Sequence, residues 1–467
     1  MATKILAWVT LVLRLEAATL WIGGVVAVVG FISLGCPKNL VDTEVMLGRL
    51  LSAGHSLTNT IEEAEVLIVN TCGFIDSAKQ ESIQAILEAA SMKQRGACKK
   101  LIVAGCMVER YREQLLTEMP EIDAVLGTRD VEGIVGVLAT GEAPERDPMY
   151  LYSEDSPRLR STHRALAYLK ISEGCSHACA FCAIPAIRGP QRSRTVQSVL
   201  REASRLVEEG VLEINLVGQD TTDFGRDLGH ATAIEELVRA LGALDGLRWF
   251  RLHYAYPSRV TDGLLDAIAG APNCCKYLDI PLQHAHAGVL KSMARGGSRK
   301  DFMALVERVR KRVPGVFIRS NFIVGFPGED DAAFEELRGF IADAQFDHVG
   351  VFSYSAEEGT KAFSLGDSVH RRTKEKRARI LMELQQGISK KRGQSLVGRT
   401  LEVMVEGLHE ESDMIVKGRH SGQAPEVDGN VLIVGGEPRL YEIQNVLITE
   451  AHAYDLVGVA EEARGDA

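Results

Sequence analysis

The chain has 467 residues, 46% hydrophobic and 25% charged, and its 53 Lys and Arg against 63 Asp and Glu leave a net charge of −10. That length exceeds one ordinary domain, and the acidic balance disfavours a protein that coats nucleic acid. Nine cysteines, an odd number without tight pairing, argue against a secreted disulfide framework and for metal-binding thiols in the cytoplasm.

Residues 6–13 are apolar, Arg14 and Glu16 interrupt, and residues 17–30 are apolar again. An extension without a folded role, a membrane anchor and a core helix are the three readings. A spanning helix needs about 20 predominantly apolar residues, and two central charges oppose it. The extension reading is preferred for residues 1–26, membrane contact is not expected, and the folded start is placed near residue 27.

A pattern then repeats. Phe31-Ile32-Ser33-Leu34-Gly35 runs into Cys36, Leu67-Ile68-Val69-Asn70-Thr71 into Cys72, and Leu101-Ile102-Val103-Ala104-Gly105 into Cys106. Each is a short apolar run suited to a buried parallel strand, and helical patterns follow at 39–52, 76–93 and 108–118. Strand–helix alternation predicts an open parallel α/β sheet with right-handed crossovers. Ligands of such sheets bind beyond the carboxyl ends of the strands, where all three cysteines fall. Neighbouring strands lie about 4.8 Å apart, so the three thiols can converge on one object. The plain reading is three separate structural cysteines; a cluster site is the reading preferred here. Cys98, in a turn before a strand, receives no role. Residues 139–160, with Pro144, Pro148 and Pro157, read as a linker.

The stretch Gly174-Cys175-Ser176-His177-Ala178-Cys179-Ala180-Phe181-Cys182 places three cysteines at C-x3-C-x2-C. Three close thiolates can hold three corners of a four-iron cube and leave one iron open. A structural zinc site fits less well, because no second cysteine or histidine pair accompanies the motif. The order, with Phe181 just before the last cysteine, resembles the radical S-adenosylmethionine (SAM) enzymes, in which the open iron chelates SAM.

Strand candidates follow at 167–172, 213–217, 249–254, 277–280, 316–326 and 348–354, separated by helical patterns at 195–209, 233–241, 260–269, 299–313 and 331–344. Six βα units suggest a partial (β/α)6 barrel with its chemistry at the carboxyl rim. There lie Gly218-Gln219-Asp220, His253, Gln283-His284 and Gly325-Phe326-Pro327-Gly328-Glu329. Phe181, Gln219 and Arg319 are candidates for SAM contact, the last two from their positions at strand ends. His284 and His286 read as a surface pair without metal, and Cys274-Cys275 as structural. The basic helix at 371–392 reads as a solvated face, with an RNA-binding surface as the sharper alternative. Short strands at 397–405, 414–417, 431–434 and 441–450 suggest a small antiparallel β-barrel. Residues 395–463 hold four Lys and Arg against thirteen Asp and Glu, a segment near −9 that should attract a basic partner.

Ser33-Leu34-Gly35-Cys36-Pro37-Lys38-Asn39-Leu40-Val41-Asp42, Asn70-Thr71-Cys72-Gly73-Phe74, the loop at 174–194 and Phe322-Ile323-Val324-Gly325-Phe326-Pro327-Gly328-Glu329 together resemble the methylthiotransferase family from residue 27 to the end. The resemblance implies a methylthiotransferase domain (27–140), a radical SAM core (161–393) and a C-terminal TRAM barrel (395–463). It implies two [4Fe-4S] clusters, with Cys36, Cys72 and Cys106 matching the auxiliary-cluster ligands and Cys175, Cys179 and Cys182 matching the radical SAM ligands. One SAM supplies the radical that abstracts hydrogen and another the methyl group, with sulfur delivered through the auxiliary cluster; a sulfur donor and an electron donor are therefore implied. One family branch modifies an adenosine of tRNA, the other the β-carbon of an aspartate in ribosomal small-subunit protein 12. Pro37-Lys38-Asn39 after Cys36, where the tRNA branch typically has Gln-Met-Asn, resembles the ribosomal branch, as do Leu252-His253-Tyr254-Ala255-Tyr256-Pro257 and Ala424-Pro425-Glu426-Val427-Asp428-Gly429. The acidic terminal barrel agrees, since that substrate is basic, and no stable nucleic-acid binding is expected. A non-enzymatic iron–sulfur carrier is the third reading.

Overall fold

The computed structural model describes residues 26–142, 150–410 and 412–461, so the apolar extension lies, Val26 apart, outside the described residues. Among the described residues no helix is long and apolar enough to cross a membrane.

The first unit is a parallel sheet of β1 (Val28–Ser33), β2 (Ser56–Thr58), β3 (Val66–Thr71), β4 (Lys100–Gly105) and β5 (Ala124–Leu126) in the order β2-β1-β3-β4-β5. Helices α1 (Pro37–Ser52), α2 (Asp76–Arg95), α3 (Cys106–Glu118) and α4 (Ile134–Thr140) connect and cover it. The apolar, largely β-branched run of β3 is buried at every position, as a central parallel strand covered on both faces must be. Proline opens α1, where its missing N–H is no loss, with Cys36 as the N-cap. The short strands β2 and β5, too brief for a periodic signal, were not legible in the sequence.

Residues 150–160 do not form a solvated linker. Tyr152 is buried, and Arg158 reaches Glu44 of α1 at 2.6 Å with one nitrogen and Glu202 at 3.0 Å with the other. This strap ties the first unit to the second, and the ion pairs that bury it join residues more than 40 positions apart.

The second unit comprises β6 (Leu166–Lys170), β7 (Ser172–Glu173), α5 (Ile184–Arg188), β8 (Arg192–Ser193), α6 (Val196–Glu208), β9 (Glu213–Val217), α7 (Ala233–Gly242), β10 (Trp249–Leu252), α8 (Asp262–Gly270), β11 (Cys274–Asp279), α9 (Ala287–Ser292), α10 (Arg299–Arg312), β12 (Phe317–Val324), α11 (Asp331–Ala344), β13 (His348–Ser353) and α12 (Arg371–Gln394). Six parallel strands run β13-β12-β11-β10-β9-β6, and the two outer strands do not pair, so the barrel is partial as expected. The apolar faces of α6 to α11 and of the strands share one large core. In α12, Lys374 and Arg377 are buried against Asp367 and Glu329, so the basic run is only in part a solvated face. Cys274 and Cys275 are both buried in packed apolar clusters, as is Cys98 in the first unit.

The third unit is a closed barrel of β14 (Thr400–His409), β15 (Ser412–His420), β16 (Val431–Ile433), β17 (Ile443–Ala451) and β18 (Leu456–Ala460). Four pairings are antiparallel, while β16 and β18 pair in parallel. The closing strand β18 was missed in the sequence: its inward Leu456, Gly458 and Ala460 give a weak alternation because two of the three are small.

Candidate functional site

Cys36 caps α1 just beyond β1, Cys72 follows β3 directly, and Cys106 follows β4 directly as the first residue of α3. Register sets Ser33 opposite Asn70 and Thr71 opposite Gly105, which brings all three thiols to one carboxyl edge. Close approach is built in. A Cβ on Gly35 would lie 2.9 Å from the Cys72 Cβ, and one on Gly105, at φ +96°, would lie 2.6 Å from the Thr71 carbonyl oxygen. Asn39 donates to the Leu34 carbonyl at 2.6 Å and Asn70 donates to the Asn39 carbonyl at 2.9 Å, pinning the two cysteine-bearing turns together.

Electrostatics divide these thiols. Burial, then the neighbouring charges of Cys106 and Cys36, pushes Cys72 up to about 12. Burial likewise raises Cys106, against the pull of Arg188. Burial also opposes ionisation of Cys36, but Lys38, Arg188 and the Asn39 and Lys38 amides outweigh it and hold that thiol below its ordinary value. Arg188, which sequence reasoning missed, is fully buried: one nitrogen stands 3.4 Å from Cys106 Sγ and Asn39 Oδ1, the other 3.0 Å from Asp42 and Glu173.

The second triad sits in the loop between β7 and α5. Gly174 turns the chain at φ +77°, the Cys175 amide donates to the Gly189 carbonyl at 3.0 Å, and the Cys182 amide donates to the Cys179 carbonyl at 3.2 Å. His177 Nε2 lies 2.6 Å from Asp220 Oδ2 and stacks on Tyr256 with ring centroids 3.7 Å apart. Arg295 donates to Cys179 Sγ at 3.4 Å while its guanidinium lies 4.4 Å from the Tyr256 ring centroid. Burial raises Cys175 to about 11, and burial with the charges of Cys179 and Cys175 raises Cys182 to about 12. Glu173, two residues before Cys175, pairs with Arg188 at 3.0 Å and so joins the two triads; it also accepts from Gln219 Nε2 at 3.0 Å. Nothing in the spacing of Arg188 or Arg295 distinguishes them from surface arginines; only the fold carries them to sulfur.

These residues fit iron–sulfur clusters. Soft thiols gather three at a time, most are pushed towards the neutral form, and bound iron deprotonates a coordinating thiol outright. A guanidinium touches sulfur in each triad to balance the resulting negative charge. Among the described residues no three His, Cys, Asp or Glu side chains are drawn together tightly enough for a single metal ion. A polar ligand also fits the barrel rim, where Ser172 Oγ and Gln219 Oε1 are buried without a hydrogen-bond partner.

Phe181 packs at the rim with Ala180, Phe326 and Tyr354. Arg319 does not stand at a carboxyl end: it is the third residue of β12, and its guanidinium lies 2.5 Å from Asp428 Oδ1 of the terminal barrel. The strand extends five residues past Arg319, in line with the candidate at 316–326, so Arg319 stands near the amino end and not at the rim. His284 is likewise not on the surface. It is fully buried, accepts from the His286 amide at 3.0 Å, and burial pushes it down to about 3, while His286 caps α9.

Comparison with known proteins bears on this geometry. The uncharacterized protein family UPF0004 matches residues 28–127, the radical SAM superfamily 169–341 and the TRAM domain 397–460. A relative from Solibacter usitatus, described as ribosomal protein uS12 methylthiotransferase RimO, is 51% identical over 92% of this chain and 94% of its own length. One of the same description from Geobacter sulfurreducens is 47% identical over 92% of this chain and 98% of its own. Among solved structures, the radical SAM methyltransferase TsrM from Kitasatospora setae, with cobalamin and a [4Fe-4S] cluster bound, shares the fold at a TM-score of 0.52 and 15% identity, covering 70% of this chain and 75% of that one. Identity of about half, sustained through all three units, places this chain in the family of the ribosomal protein uS12 methylthiotransferases.

Proposed function

We propose that this chain is a radical SAM methylthiotransferase that inserts a methylthio group at the β-carbon of an aspartate of ribosomal protein uS12. The observation that carries the reading is the presence of two cysteine triads, on separate units, linked by Arg188, which reaches Cys106 and pairs with Glu173 two residues before Cys175. Cys36, Cys72 and Cys106 would hold the auxiliary [4Fe-4S] cluster, and Cys175, Cys179 and Cys182 the SAM-binding one. When bound, these clusters with two SAM molecules supply the hydrogen-abstracting radical, the sulfur and the methyl group. The chain's own residues do the rest. Arg188 and Arg295 balance charge at sulfur, Gln219 and Ser172 offer unused polar atoms to a ligand, Phe181 packs the rim, and α1 packs beside the edge strand β6. Arg319 supports the site from below by anchoring the terminal barrel. The three units divide at 27–140, 161–393 and 395–463.

The terminal barrel supports a basic protein as the partner. Its Arg419 is buried between Glu213 and Glu406, a pairing that withdraws one basic and one acidic barrel residue together and so leaves the acidic excess of the segment in place. Basic residues of α12 are partly consumed in pairs with Glu329, Asp331, Asp347 and Asp367, which weakens the tRNA alternative. The cytoplasm suits free thiols, iron–sulfur chemistry and a ribosomal substrate; sulfur and electron donors complete the expected partners.

A competition assay tests this function. The anaerobically reconstituted protein is given SAM, sulfide and reductant with uS12 on small subunits beside isopentenylated tRNA. A methylthio mass gain on a uS12 aspartate is the expected result; a gain on the tRNA alone refutes it.

A further inference from the structure

Among the described residues, several buried cations are matched by carboxylates. Lys170 meets Asp42 and Glu173, Arg377 meets Glu329, and Arg419 meets Glu213 and Glu406. Such pairing is expected, because a buried charge without a counter-charge is strongly unfavourable. Lys38 differs from these three. Its side chain belongs to a residue only 8% exposed, yet among the described residues no carboxylate lies within 4.0 Å of its ammonium. The group rests instead 3.6 Å from the centroid of the Tyr254 ring, and the opposite charge that it faces is the thiol of Cys36. Asp279, whose carboxylate senses this charge, is held by the Tyr254 amide at 3.3 Å, and its other oxygen has no hydrogen-bond partner.

The position is as telling as the missing carboxylate. Lys38 lies two residues from Cys36, at the first triad. Tyr254 takes the left-handed conformation, φ +60°, which a tyrosine rarely adopts and which the fold must impose. Two residues on, Tyr256 stacks on His177 of the second triad. The Lys38–Tyr254 contact therefore stands between the two cysteine sites, where a residue undergoing reaction at both must lie.

We propose that Lys38, held on the Tyr254 ring, is the specificity-determining residue that binds the carboxylate of the substrate aspartate. This rests on the uS12 reading above. A carboxylate arriving there supplies the carboxylate partner that the ammonium lacks, beside the Cys36 thiol that it already faces, in a charge-assisted hydrogen bond strengthened by burial. A neutral asparagine at the same substrate position lacks it.

The test uses the full chain, reconstituted with iron and sulfide, and two peptides: one spanning the modified uS12 aspartate, the other with asparagine in its place. Wild type should bind the aspartate peptide at least about tenfold more tightly, and Lys38→Met should bring the ratio near one. Iron content and cluster absorption are read alongside. An unchanged ratio in Lys38→Met overturns the assignment. So does equal weakening of both peptides with altered cluster absorption, which would make Lys38 a cluster-positioning residue. If Lys38→Met fails to take up iron, Lys38→Arg decides: keeping the charge should keep the aspartate preference, and its loss overturns the proposal. Methylthiolation of uS12 by a wild type without aspartate preference sinks the Lys38 assignment alone. Transfer to tRNA instead sinks the function it rests on as well.

Discussion

The two cysteine triads are built in opposite ways. Cys175, Cys179 and Cys182 lie within one loop of eight residues, whereas Cys36, Cys72 and Cys106 are gathered from three strand ends spread over some seventy residues. The local triad is shaped by its own backbone, through the Gly174 turn and the Cys182-to-Cys179 hydrogen bond. The distributed triad depends on strand register and on buried charges that arrive from the second unit, Arg188 above all. A distributed site should thus be sensitive to mutations far from its ligands, and a local one should not.

Breaking each triad separates their tasks. Cys179→Ala should abolish SAM cleavage and all methylthiolation, read as loss of 5′-deoxyadenosine and of product. Cys72→Ala should abolish methylthiolation yet leave 5′-deoxyadenosine formation detectable; full thiolation by that variant would refute the assignment of the second triad. The next effect concerns stability. Arg188→Met leaves Asp42 and Glu173 with only Lys170 as counter-charge, and breaking a buried pair costs about 3–5 kcal/mol. Denaturant unfolding of the variant should begin earlier, and its iron content after reconstitution should fall from eight towards four per chain, about four irons per cube. Retention of both clusters would show that the distributed triad is less dependent on the second unit than its contacts imply.

The smallest effect serves as a control remote from both triads. Burial alone would raise Asp428, but His348 and Arg319 hold it near pKa 2; Glu406 is likewise held near 2, against burial, by Arg419 and His163. Both folded-state values lie below the ordinary 3.8 and 4.5. Their contribution is therefore complete above those ordinary values and is lost as pH falls towards about 2. Melting temperature should drop across that window, and Asp428→Asn should flatten part of the drop.

Legibility in the sequence followed the same division. The C-x3-C-x2-C loop, the strand–helix alternation and the acidic terminal segment are local patterns, and all three were read directly from the chain. The convergence of Cys36, Cys72 and Cys106 was inferred only because each follows a similar apolar run. Gly218-Gln219-Asp220 was marked as a strand end; its contacts with Glu173 and His177 were not foreseeable. Arg319 lies at the amino end of its strand, as the candidate range 316–326 already implied, and its pairing with Asp428 of the terminal barrel depends on long-range packing.

The sequence by itself determined the kinds of chemistry available and the order of the three units, since spacing and periodicity act over a few residues. Only the tertiary structure decided that Arg188 reaches Cys106, that residues 150–160 are a strap pinned by buried Tyr152 and Arg158, and that Lys38 stands on Tyr254 without a carboxylate. Those outcomes depend on burial and on charges brought together from distant positions, and long-range packing leaves no mark in local pattern.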